Sequence, residues 1–127
     1  MIYGIGTDIV EIDRIERALA RFGERFAQRI LCAPELERFR VISRPAAYLA
    51  KRFAAKEAFG KAMGSGIRAP ALWHGMWVSN RNAGQPCLEF SGALAALLAA
   101  RGIRRTHLSL SDERSLASAM VVLECDA

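Results

Sequence analysis

IYGIGTDIVEIDRIERALARFGERFAQRI, residues 2–30, changes its period part-way along and opens the order of elements from which the fold class follows. Up to Ile12 it is rich in β-branched residues, and apolar side chains fall on both parities, Ile2 and Val10 on one, Tyr3, Ile5 and Ile9 on the other. That pattern predicts a strand covered on both faces. From Ile12 the spacing turns helical, with Ile12, Ile15, Leu19, Phe22, Phe26 and Ile30 on one stripe at steps of three or four. Gly23 stands where that helix would break in two.

Further along, Pro34 introduces a second helical stretch over 35–41, and Pro45 a third that runs through AAYLAKRFAAKEAFGKAM to Gly64. Gly64, Ser65, Gly66 and Pro70 mark a loop. A hairpin is predicted next, 76–80 against 87–90, around the turn-prone Asn82-Ala83-Gly84-Gln85-Pro86. Ser91 can cap a short helix through Leu98 that Gly102 closes. HLSLS then turns through Asp112, Glu113 and Arg114 into LASAMVVLE, a last hairpin. A strand, then helices, then strands with one helix between them predict an α+β fold, an antiparallel sheet packed with helices, and not a βαβ series. Residues 1–127 are expected to form one domain, since 127 residues with 52% hydrophobic content suffice for one core.

Eighteen Lys and Arg against 13 Asp and Glu give a formal charge of +5, which favours an anionic partner: nucleic acid, a phosphate-rich cofactor or an acidic protein. Cys32, Cys87 and Cys125 are odd in number and far apart, with no CxxC pair, and are read as reduced thiols. MIYGIGTDIV has no basic n-region and carries Asp8, unlike a signal peptide. The longest apolar run, 93–100, falls far short of the about 20 residues that span a bilayer. A soluble, cytoplasmic protein with no membrane partner is expected.

Asp8 lies mid-strand, where a lone buried carboxylate would cost several kcal/mol unless a cation or hydrogen-bond donors answered it. Taken alone, a salt bridge or a solvent-facing position accounts for it. On the third helix Glu57 falls at the edge of the buried arc, about 40° from Phe53, with Lys61 one turn later, a spacing that also suits a surface ion pair. Arg52 and Lys56 fall inside the arc of Leu49, Phe53, Phe59 and Met63, where long side chains can snorkel. His107, Ser109 and Ser111 share one parity of the penultimate strand and form a polar column. His74 receives no role. Gly4-Ile5-Gly6 lacks the third glycine of a dinucleotide fingerprint, and neither GxxxxGK[ST] nor GxSxG occurs.

GIGTDIVEIDRIE, RFAAKEAFGKAMGSGI and HLSLSDERSLASAMVVLE together resemble the holo-acyl-carrier-protein synthase family of phosphopantetheinyl transferases over nearly the whole chain. The GIGxD strand and the FxxKEAxxK helix stand in the family's order and at its separation. The resemblance implies that Asp8 and Glu57 hold Mg2+, with waters and the coenzyme A pyrophosphate completing the shell. It implies displacement at the β-phosphate of coenzyme A by a carrier-protein serine, releasing adenosine 3′,5′-bisphosphate, in support of fatty-acid biosynthesis. Lys61 would lie close to the phosphates, Arg52, His107 and Ser109 around the phosphates and nucleotide, and Gly64 and Gly66 where backbone meets the cofactor. Glu57, Lys61 and His107 are the catalytic candidates. The proton acceptor stays open between Glu57 and a metal-bound water. Many members carry a second histidine where this chain has Asp112.

Arg14, Arg17, Arg21, Arg25 and Arg29 form one stripe if the first helix continues, and in the family this helix meets an acidic carrier helix. Arg14 and Arg21 are therefore the docking candidates for an acyl carrier protein. A nucleic-acid-binding protein would suit the charge but leaves Asp8 unexplained and lacks a recognition motif, so no nucleic-acid partner is expected. A two-metal phosphohydrolase would need a denser acidic or histidine cluster. Family members are commonly trimers with active sites between subunits, so a homotrimer is expected.

Overall fold

The structure, a computed structural model, describes residues 1–68 and 72–126. Its order is β1 (Ile2–Glu11), α1 (Ile12–Phe22), α2 (Glu24–Ile30), α3 (Ala33–Phe39), α4 (Pro45–Met63), a 3-10 turn (Trp73–Gly75), β2 (Met76–Asn80), β3 (Pro86–Phe90), α5 (Gly92–Ala100), β4 (Ile103–Asp112) and β5 (Leu116–Cys125). β1, β5 and β4 form one sheet in that order, and β2 and β3 a separate two-stranded one; every pairing is antiparallel. The α+β class read from the sequence is the observed one. Pro70, which helps mark the loop after α4 in the sequence, lies outside the described residues.

The helices start and stop for local reasons. Gly23 takes a left-handed φ of 67°, which ends α1 and lets the chain restart as α2. α3 begins two residues earlier than its sequence pattern suggests, because the Glu35 side chain returns to the backbone N–H of Cys32 at 2.9 Å and caps it. Pro45 opens α4, and Gly64, at φ 84°, closes it in the left-handed conformation.

α4 is the centre of the molecule, packed across β1 and β5. Thirteen of its 19 residues are buried, so it is enclosed on most sides instead of presenting one apolar stripe. It can lie close to β1 because Gly4 and Gly6 have no side chain: a Cβ at either would stand 2.0 Å from the carbonyl oxygen of Ala62 or Ala58. Phe59 on Phe90, with ring centroids 5.1 Å apart, and Phe53 on Trp73, at 5.3 Å, tie the second sheet and its preceding turn to the same helix.

Two expectations change. β1 is not covered on both faces within the chain: Gly6 and Val10 are buried toward α4, whereas Ile5 and Ile9 remain 66% and 64% exposed. Nor does Lys56 snorkel. It is fully buried, with its ammonium bonded to Glu35 and to two backbone carbonyls.

Candidate functional site

Strand alternation sends Gly4, Gly6, Asp8 and Val10 to the face of β1 that meets α4. Asp8 is the one carboxylate in that row, and its charge is answered from the helix. Lys61 Nζ donates to Asp8 Oδ1 at 3.0 Å and to the Thr7 carbonyl at 2.9 Å. Glu57, one turn before Lys61, lies on the same side of α4, half-buried. Burial pushes its carboxyl above the ordinary range, and the negative charge of Asp8 pushes it further; Lys61 and then Arg14 pull the other way.

The negative charge of Asp8 therefore reaches Glu57 as repulsion, and among the described residues Glu57 has no hydrogen-bond partner. Two hard oxygen donors that repel each other, one held by Lys61 alone and the other without a hydrogen-bond partner among the described residues, fit a small divalent cation. No group of three or more His, Cys, Asp or Glu side chains is assembled among the described residues, so the rest of such an ion's shell would come from water or substrate oxygens. The donor set suits Mg2+ and is too sparse for a structural zinc.

Asp8, Lys61, Ser109 and Ser111 line one cleft of about 720 Å³, together with Thr7, Ile9 and Met120. The polar column of β4 points away from α4. Across the sheet's outer face the register sets Ile5, Val122 and His107 in one row, Thr7, Met120 and Ser109 in the next, and Ile9, Ser118 and Ser111 in a third. His107 is exposed, and its Nε2 is 2.5 Å from Glu124 Oε1, a contact that holds the Glu124 carboxyl below the ordinary range. Ser109 thus shares the cleft of Asp8 and Lys61, whereas His107 stands on the opposite face of the sheet from the carboxylates.

Arg52 goes elsewhere. Five residues before Glu57, it leaves α4 about 140° away. It lines a second cleft of about 490 Å³ with Arg38, Tyr48, Lys51 and Trp77. Its guanidinium lies 3.9 Å above the Tyr48 ring centroid, and its buried Nε has no hydrogen-bond partner among the described residues. Asp112 pairs with Lys51 Nζ at 3.4 Å and so ties the end of β4 to α4 beside this cleft. Gly64 and Gly66 both have positive φ, and Gly66 N donates to the Gly60 carbonyl at 3.0 Å, folding the loop back on α4.

The arginine stripe is divided by Gly23. Arg14, Arg17 and Arg21 belong to α1, Arg25 and Arg29 to α2, and Arg17 is occupied by Asp13 at 2.8 Å. Arg21, Arg25 and Arg29 nevertheless converge on one pocket with Phe22 and Phe26, where Arg21 lies 5.1 Å from the Phe22 ring centroid. Phe22, 54% exposed, is a surface feature the sequence reading placed in the core stripe. The signal was present, since Phe22 immediately precedes the helix-ending Gly23.

Residues 4–117 match the sequence model of the 4'-phosphopantetheinyl transferase superfamily. A holo-[acyl-carrier-protein] synthase of Nitrosomonas europaea is 52% identical over 124 residues, covering 98% of this chain and 99% of that protein. The crystal structure of holo-[acyl-carrier-protein] synthase from Neisseria meningitidis superposes with a TM-score of 0.94 at 48% identity, over 98% of this chain and 99% of that one. That of a holo-(acyl-carrier-protein) synthase from Bacillus anthracis in complex with CoA (3',5'-ADP) has a TM-score of 0.83 at 38% identity and 99% coverage of both chains.

Proposed function

The chain belongs to the 4'-phosphopantetheinyl transferase superfamily, as a transferase of the holo-[acyl-carrier-protein] synthase kind, and from that premise we propose the chemistry of its site. It transfers the 4′-phosphopantetheine arm of coenzyme A to a serine of an apo acyl carrier protein. The observation that carries the reading is the meeting of Asp8 with Glu57 beside Lys61.

In this reading Asp8 and Glu57 would hold Mg2+, with water and substrate oxygens as the remaining donors. The ion, when bound, supplies Lewis-acid stabilisation of the charge that develops on the phosphates. The carrier serine Oγ forms a bond to the β-phosphorus as the bond to the adenosine-side phosphate oxygen breaks, releasing adenosine 3′,5′-bisphosphate. Lys61, already drawn to Asp8, is positioned to turn toward that leaving oxygen. The serine proton would pass to Glu57 or to a metal-bound water. Arg52 would supply a cation for a phosphate of the nucleotide from the second cleft, and Gly64 and Gly66 a loop whose backbone can approach it.

Arg14 acts electrostatically on Glu57, so a carrier docked along Arg14 and Arg21 would present its serine next to the carboxylates. A homotrimer is the assembly we favour. Ile5, Ile9, Leu116 and Met120 leave the outer face of the β1–β5–β4 sheet apolar and open, and His107, on that same face, would be presented to the catalytic centre of another copy. Residues 1–127 would then be one transferase domain per subunit, with active sites between subunits. No helix of the described residues is long and apolar enough to cross a membrane. A cytoplasmic role in fatty-acid biosynthesis accords with these substrates.

Incubation with coenzyme A, Mg2+ and apo acyl carrier protein should add one phosphopantetheine to the carrier's mass and release adenosine bisphosphate. A carrier of unchanged mass would overturn the reading.

A further inference from the structure

We propose that Lys56 is a positioning residue whose buried ammonium keys the rotation of α4 about its own axis and so presents Glu57 to Asp8. The proposal rests on the transferase reading above. A helix enclosed on most sides gains similar apolar burial over a range of rotations, so something directional has to select one. Gly4 and Gly6 set how close α4 lies to β1, because they bring backbone to backbone.

Lys56 supplies direction on another side. All three of its donors are used: Ile30 O at 2.6 Å, Glu35 Oε1 at 2.7 Å and Trp73 O at 2.9 Å. Glu35 is itself 1% exposed and anchored by the backbone N–H groups of Cys32, at 2.9 Å, and Val78, at 2.8 Å. The ammonium is therefore gripped by the end of α2, by α3 and by the turn before β2, while the carboxylate is pinned to β2. Such a pair adds little net stability over apolar residues of equal volume, and setting register is its best-attested use.

The consequence for the site is geometric. Lys56 and Glu57 are neighbours about 100° apart on the helix, so a rotation that breaks the three bonds of Lys56 carries Glu57 through the same angle. With side chains about 5–6 Å from the axis, a turn of roughly 20° displaces the carboxylate by about 2 Å. A misplacement of about 1 Å can cost on the order of 10²-fold in rate.

Two double variants test this beside the wild type. Glu35→Met with Lys56→Met removes both charges and strands neither, whereas Glu35→Gln with Lys56→Gln keeps an acceptor for one of the two backbone N–H groups and donors for the backbone carbonyls. Thermal unfolding, Mn2+ affinity by titration without coenzyme A, and steady-state transfer are measured on each. The methionine pair should melt within a few degrees of wild type, bind Mn2+ about tenfold more weakly and lose about tenfold or more in kcat, with the KM for the carrier little changed. The glutamine pair should recover part of both losses. A folded methionine pair with wild-type kcat and Mn2+ affinity overturns the proposal. So does a series in which transfer falls only as the folded fraction falls. A wild type that binds Mn2+ but transfers nothing sinks the transferase reading instead, and the Mn2+ comparison still judges Lys56.

Discussion

Lys61 Nζ lies 3.0 Å from Asp8 Oδ1, while Glu57, one helical turn earlier, raises no hydrogen bond of its own among the described residues and feels the charge of Asp8 as repulsion. One carboxylate is thus held by a cation and the other is not, and the difference sets the consequences of removing either.

Asp8→Ala and Glu57→Ala should each lower transfer by at least about 10²–10³-fold, because the charge that gathers on the phosphates loses its counter-ion. Circular dichroism should show an intact fold in both. Full activity in either variant would mean that the metal has been assigned to the wrong side chains.

Without metal, Glu57 makes stability fall as pH rises. Its folded-state pKa is raised, so the folded chain binds a proton more readily than the unfolded one between the ordinary value of 4.5 and the raised one. Below 4.5 both states are protonated and nothing is lost; above the raised value the folded chain carries an ill-placed charge. Glu57→Gln should therefore melt a few degrees above wild type at neutral pH in chelator, with the gain fading as pH drops toward 4.5. Added Mg2+ should stabilise the wild type and not the variant. A constant offset across pH would contradict this account.

Gly6→Ala places a Cβ 2.0 Å from the Ala58 carbonyl oxygen and 2.7 Å from Ala62 N, both backbone atoms that move only if α4 does. Overpacking of this kind costs about 1–3 kcal/mol or more, readable as a lowered denaturation midpoint. Divalent affinity should drop in the same variant, since β1 carries Asp8 and α4 carries Glu57.

Arg21→Ala should raise the KM for an acidic carrier several-fold, leave kcat nearly unchanged and flatten the dependence of kcat/KM on salt. A fall in kcat with an unchanged KM would move Arg21 out of the docking surface.

What the sequence made legible was mostly local. The change of period at Ile12, the break at Gly23, the helix from Pro45 to Gly64 and the two hairpins all follow from patterns spanning a few residues. The pairing of Asp8 with the Glu57 helix was reached through ordered motifs and not through spacing. Lys56 was misread because its partner Glu35 is 21 residues away, and no helical period reports a buried carboxylate on another element. The outer face of β1 was misread for a related reason: Ile5 and Ile9 look like core in one dimension whether or not the same chain covers them.

If, as proposed, His107 serves the Asp8 of a neighbouring subunit, the sheet that carries Asp8 toward α4 and His107 toward the outside would divide one reaction centre between two chains, and in a ring of subunits that division would permit mutual rescue. Chains bearing Asp8→Ala and chains bearing His107→Ala, each defective alone, would form mixed rings when unfolded and refolded together. Random mixing in equal amounts would leave about one site in four with an intact aspartate from one chain and an intact histidine from its neighbour. Transfer should reappear at that fraction of the wild-type rate, turning a fact about strand parity into one that a complementation assay can read.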